Sequence, residues 1–347
     1  MKKQSKNKKK SVKSIADFTD FYFKGAWKRC FILLLCRWIR LVILNDKRLS
    51  KRSEWQMITL QNDALTVVVN ELGAQLHSIK RRDNQIEYLW QGDANSWGRQ
   101  APILFPFVGR LKDDQYQFAG QTYHQTQHGF ARDRQFSVVD QTSDHVLLEQ
   151  RSDDKTRQVF PFAFVLQVEY RLDGDQLSVQ YRVENPADQS LIYAIGAHPG
   201  FNIPLTAAGK FEQVEFSTVP AEEFSRIVLA GPYNDSAHPQ LIDMHQPFQL
   251  DHELFNHDAI IFKTGGCNFA ATLTDQNSGY GVTVNTKGTQ YVGLWSAYPA
   301  KANFACVEPW WGIADNVNAD GLLLHKQGMS RLAPGQSAAY HFSIHPF

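Results

Sequence analysis

Residues 164–172 and 176–183 alternate apolar and polar side chains on either side of Asp173-Gly174, and this pattern constrains the fold more than any other. A period of two places the apolar set on one face of an extended strand, and Asp-Gly suits a two-residue primed turn, so the pair reads as a β-hairpin. Further β-branched and aromatic runs at 65–69, 75–80, 136–139, 146–150, 191–195, 280–284, 290–295 and 338–345 are separated by Gly, Asp and Asn. No segment of comparable strength carries a helical period. The expectation is an all-β architecture of packed antiparallel sheets. Nothing after residue 57 divides the chain by repeat, linker or composition, and 57–347 is an ordinary length for one β-sandwich domain. At 43% hydrophobic and 12% aromatic, the chain can fill a large interior, and its eight Trp suit packing or carbohydrate contact.

Charge separates the ends. Residues 1–52 carry 16 Lys and Arg against Asp17, Asp20 and Asp46, which leaves 20 basic and 32 acidic residues for the remainder. An acidic body argues against a nucleic-acid enzyme, whose basic surface belongs to the folded part. Residues 1–56 therefore read as a basic extension. The apolar run 30–44 is interrupted by Arg37 and Arg40, too short for the roughly 20 residues of a membrane span, and no small-residue cleavage site follows it. Two readings stand: an interfacial helix, which would give the only membrane contact, or upstream sequence preceding a true start at Met57. The second is preferred, because Arg52-Ser53-Glu54 is encodable by a purine-rich ribosome-binding sequence. The four Cys form no disulfide framework or zinc spacing, and a cytoplasmic location is expected.

Three segments set ionisable residues in apolar or turn context. Arg110 ends the apolar run 101–110, and His128 and Arg132 follow in Gln127-His128-Gly129-Phe130-Ala131-Arg132-Asp133. Each suits a surface or structural role as well as a chemical one. His198, in Gly196-Ala197-His198-Pro199-Gly200, follows a strand-like run and precedes a Pro-Gly turn at a sheet edge, where loops carry function. Glu308 lies between Phe304-Ala305-Cys306-Val307 and Pro309-Trp310-Trp311, and is either a structurally hydrogen-bonded carboxylate or a general base. Cys306 reads as a small buried hydrophobe. No phosphate-binding glycine loop, nucleophile elbow or metal-ligand spacing is present in the sequence.

Over residues 57–347 the chain resembles the aldose 1-epimerase (galactose mutarotase-like) family, in its LacX-like branch. The resemblance rests on APILFPFVGRLK (101–112), QHGFARD (127–133), AHPGFN (197–202) and VEPWWGIAD (307–315), in the family's order. It implies a β-supersandwich with a sugar cleft on one sheet face, and interconversion of the α and β anomers of an aldohexose. It also implies Arg110 and His128 as substrate binders, His198 as acid, Glu308 as base and Asp258 as a further sugar-binding carboxylate. The QHGFAR segment is similar to that of hexose-6-phosphate mutarotases, in which case Arg132 would meet a phosphate. A non-catalytic carbohydrate-binding protein of the same fold is the other alternative. Opening a cyclic hemiacetal needs a base at O1 and an acid at the ring oxygen, so the expected chemistry requires a small sugar and no metal, nucleotide or redox cofactor. The basic extension has no counterpart in the family pattern.

Overall fold

The computed structural model describes residues 56–347, so the two readings of the basic extension lie outside the described residues. The alternating segments form the backbone of a nine-stranded sheet running from Phe248–Gln249 at one edge to Ser137–Gln141 at the other. Near its centre, Val165–Asp173 pairs with Gln176–Glu184, and the apolar residues of both arms point into one core. The turn falls one residue later than expected. Asp173 pairs with Gln176, leaving Gly174-Asp175 as the loop, because Gly174 at φ 58° accepts the left-handed first position that Asp173 would resist.

A second sheet of eight strands stacks on the first. In order it contains Tyr233–Asp243, Glu223–Ala230, Ile260–Lys263, Tyr291–Trp295, Phe304–Trp311, Ile195–Ala197 and Ile103–Leu104, with Gly200–Asn202 also pairing to Phe304–Trp311. Phe262 of this sheet packs on Phe216 and Phe269 of the other, with ring centroids 5.6 and 5.8 Å apart. A third sheet, Met57–Gln61, Leu65–Asn70 and Gln75–Arg81, adds its buried residues to the same core. All named strand pairs are antiparallel, and the single α-helix among the described residues is Asp154–Val159, closed by an Asp153–Thr156 capping box. The architecture is the all-β one expected. Among the described residues no helix is long and apolar enough to cross a membrane.

The run 191–195, expected as one strand, is divided at Ala194, whose N–H donates to Pro106 O at 2.8 Å. Leu191–Tyr193 pairs with Ser330–Leu332, whereas Ile195–Ala197 joins the eight-stranded sheet. Tyr233–Asp243 escapes a period-two reading because it is an edge strand whose residues beyond Ser236 are mostly exposed.

Candidate active site

Phe304–Trp311 is buried along its whole length, so both of its faces are covered. Ala305, Val307 and Trp311 join the core between the large sheets, while Phe304, Cys306, Glu308 and Trp310 face the other way. The strand's neighbour on one side is interrupted opposite Glu308. Ile195 and Gly196 pair with Trp311 and Trp310, pairing resumes only at Gly200 with Cys306, and the gap holds Ala197-His198-Pro199. Pro309 has no N–H to offer across this gap and Pro199 has none to return, so two prolines release the neighbouring strand at His198. Its ring therefore comes to rest beside Glu308, with Nε2 and Oε2 separated by 3.1 Å.

This pair lies in a cleft of about 930 Å³ on the outer face of the eight-stranded sheet. His128, Arg132, Asp258, His198 and Glu308 all line it, and the sequence segments that carry them converge there. Arg110 does not. It is not among the lining residues, because its guanidinium turns to Asp114 at 3.2 Å and to Gln127 Oε1 at 3.4 Å. Gln127 does line the cleft, so Arg110 meets the site through it.

Two glycines explain the close approach of these loops. Gly109, at φ 73°, has Ala314 so near that an added Cβ would lie 2.5 Å from its Cβ. Gly129, at φ 68°, would drive a Cβ into Phe105 O. The Gly-Arg and His-Gly dipeptides therefore lock the first two motifs onto each other and onto residues 313–315. His128 itself adopts φ 69°, and its Nδ1 accepts from Gly109 N–H at 3.1 Å. That bond fixes the neutral tautomer with Nε2–H as a donor. Asp258 is likewise left-handed, at φ 70°, with its Oδ1 accepting from Ala259 N–H. Such backbone cost in residues other than Gly and Asn collects at functional sites.

Burial dominates the electrostatics. Glu308 is 1% exposed, and desolvation followed by the nearby Asp258 raises its carboxyl well above the ordinary range. His198 is pushed down to about 3, chiefly by desolvation, with Arg132 and Arg99 adding to the effect. His128 is lowered by the same burial and by His198, and Asp258 is raised by desolvation. Arg132 falls to about 10 through desolvation and repulsion from Arg99, which leaves it cationic at neutral pH.

Sequence reasoning missed Trp97 and Arg99 in the aromatic and cationic wall. Trp97 stacks on His198 with centroids 4.8 Å apart, and Trp295 meets the same ring edge-on at 5.6 Å. Arg99 donates to Asp133 at 2.9 Å, and the same carboxylate lies 3.7 Å from Arg132 Nε. The signal for Trp97 and Arg99 was the turn-rich Gly92-Asp93-Ala94-Asn95-Ser96-Trp97-Gly98-Arg99, a loop with a large aromatic and a cation but no periodicity.

A family profile described as Aldose 1-epimerase matches residues 56–345. The chain belongs to the aldose 1-epimerase family. Within it, the chain is similar to Protein LacX of Lactococcus lactis subsp. lactis, at 31% identity over 296 residues that cover 83% of this chain and 98% of that protein. The structure of a galactose mutarotase related enzyme from Lactobacillus acidophilus matches with a TM-score of 0.83 at 37% identity, covering 84% of this chain and 97% of that one. A galactose mutarotase-like protein from Lactobacillus casei matches with a TM-score of 0.77 at 30% identity, covering 84% and 100%. These relatives bear out both the fold and the LacX-like branch to which the four motifs pointed.

Proposed function

We propose that the protein is an aldose 1-epimerase that interconverts the α and β anomers of an aldohexose, with Glu308 as base and His198 as acid. The observation that carries this reading is the 3.1 Å separation of Glu308 and His198 at the wall of a sugar-sized cleft. O1 and the ring oxygen are bonded to the same carbon, so the two proton transfers of ring opening fall within reach of two groups this close. The pair's one proton first passes from Glu308 to His198; Glu308 then takes the proton from O1, the C1–O5 bond breaks as O1 becomes the aldehyde oxygen, and His198 delivers its proton to O5. Rotation about C1–C2 presents the other face of the aldehyde, and the transfers run backwards to close the ring. The pair ends each opening with Glu308 protonated and His198 neutral, the form that burial favours, and total proton count never changes. Neutral His128 offers Nε2–H to a sugar oxygen, Asp258 accepts from a hydroxyl, and Trp97 and Trp295 hold the acid in place.

Arg99 and Arg132 favour a second substrate class, a sugar bearing a phosphate, because two guanidiniums face one wall of the cleft with only the exposed Asp133 to balance them. Exchange NMR on aldoses and their 6-phosphates tests both readings. Accelerated exchange of at least one neutral aldohexose supports the preferred one, and exclusive turnover of phosphates supports the other. Binding with no acceleration above the spontaneous rate would instead mark a non-catalytic sugar-binding protein.

A further inference from the structure

We propose that His198, Cys306 and Glu308 form a three-ligand site for a thiophilic divalent cation such as zinc, and that its occupation shuts off the acid–base pair. The inhibitory part rests on the function proposed above, and the binding part does not.

Cys306 and Glu308 are two residues apart on one strand, so both project to the cleft face while Val307 between them enters the core. The gap in the neighbouring ladder adds His198 from the other side. One ligand atom from each residue lies within 4.8 Å of the other two, and all three residues are buried. Zinc bonds to nitrogen, oxygen and sulfur would set the ligand atoms roughly 3.5 Å apart, so side-chain adjustments of about 1 Å close the site. Glu308 Oε2, although 3.1 Å from His198 Nε2, makes no hydrogen bond and is buried. A buried carboxylate oxygen beside the other two ligands is thus left without a hydrogen-bond partner.

A nitrogen, sulfur and oxygen donor set selects zinc or cadmium over magnesium and calcium. His198 and Glu308 both line the cleft, so a fourth position faces solvent and substrate. Coordination breaks the Cys306 S–H and Glu308 O–H bonds and sends both protons to solvent, while His198 supplies the Nε2 lone pair. The thiolate and carboxylate neutralise the dication, so Arg99 and Arg132 face no new positive charge. The metal then draws on the charge of the base and weakens it toward O1, and the acid's Nε2, bound to the metal, has no proton for the ring oxygen.

Cadmium titration of the full-length, reduced protein tests the binding directly through the ultraviolet charge-transfer band of a cadmium thiolate. The wild type should give a band that saturates near one equivalent above the contribution of the other cysteines. Cys306→Ala and Cys306→Ser should lack this increment, whereas Cys267→Ala, altering an exposed thiol, should keep it. Zinc should inhibit anomer exchange reversibly to chelator, with at least about tenfold weaker inhibition in either Cys306 variant. An identical cadmium difference spectrum in the wild type and both Cys306 variants would overturn the proposal. If the protein shows no mutarotase activity, the cadmium band still decides the site.

Discussion

Burial of the His198–Glu308 pair favours its uncharged form, with the pair's one proton on Glu308 and His198 neutral. This inverts the limbs expected from ordinary pKa values. The working state carries one proton on the pair, so kcat/KM should be bell-shaped in pH, and the apparent pKa values belong to the pair. Activity falls at low pH as His198 takes a second proton beside protonated Glu308, and at high pH as Glu308 gives up the only one. A profile flat through both limbs would contradict a shared proton. Stability follows with a defined sign. Glu308 holds its proton more tightly folded than unfolded, so its contribution declines as pH rises above about 4.3, the unfolded value. Glu308→Gln removes that cost. Its melting temperature at pH 8 should equal or exceed the wild type's, by roughly 2–4 °C for each kcal/mol recovered. A large fall would mean that the carboxyl is a structural hydrogen-bonding group. His128→Ala should raise KM more than Arg110→Ala, since His128 lines the cleft whereas Arg110 acts through Gln127. Equal losses in steady-state kinetics would place Arg110 against the sugar.

At the scale of elements, the site exists because one strand is interrupted where its neighbour cannot hydrogen-bond, and because glycine lets loops touch. Gly109→Ala should destabilise the protein by more than about 1 kcal/mol in urea unfolding, since its Cβ would enter Ala314 at a left-handed φ. An unchanged midpoint would show that the loop relaxes freely. These elements were unequally legible in the sequence. The central hairpin announced itself through alternation and a Gly turn, yet the residue that took the left-handed position shifted the loop by one. Glu308 and His198 stood out as ionisable groups beside prolines in apolar runs, but their proximity depends on the ladder gap between Ile195–Ala197 and Gly200–Asn202, a long-range pairing that no local pattern carries. Trp97 and Arg99 were hidden for the opposite reason: they lie on an irregular turn, where periodicity has nothing to read.

For the molecule as a whole, two stacked sheets supply a floor, and loops from several separated segments close over the outer face of one of them. The strands, core and cleft seen among the described residues lie within 57–347, so deleting 1–56 should leave cooperative unfolding and turnover unchanged. Loss of soluble protein on truncation would show that the extension completes the fold. The central claim is that Glu308 carries the proton from O1. Exchange NMR of a reactive aldose measures anomer interconversion above the spontaneous background, and comparing the wild type with Glu308→Gln under saturating sugar tests that claim most directly. The account predicts a loss on the order of 10²–10⁴ in rate, with fold and sugar binding retained, because the amide keeps the shape but takes no proton. Near-wild-type exchange by Glu308→Gln would contradict it, and Asp258 would then be the next candidate for the base.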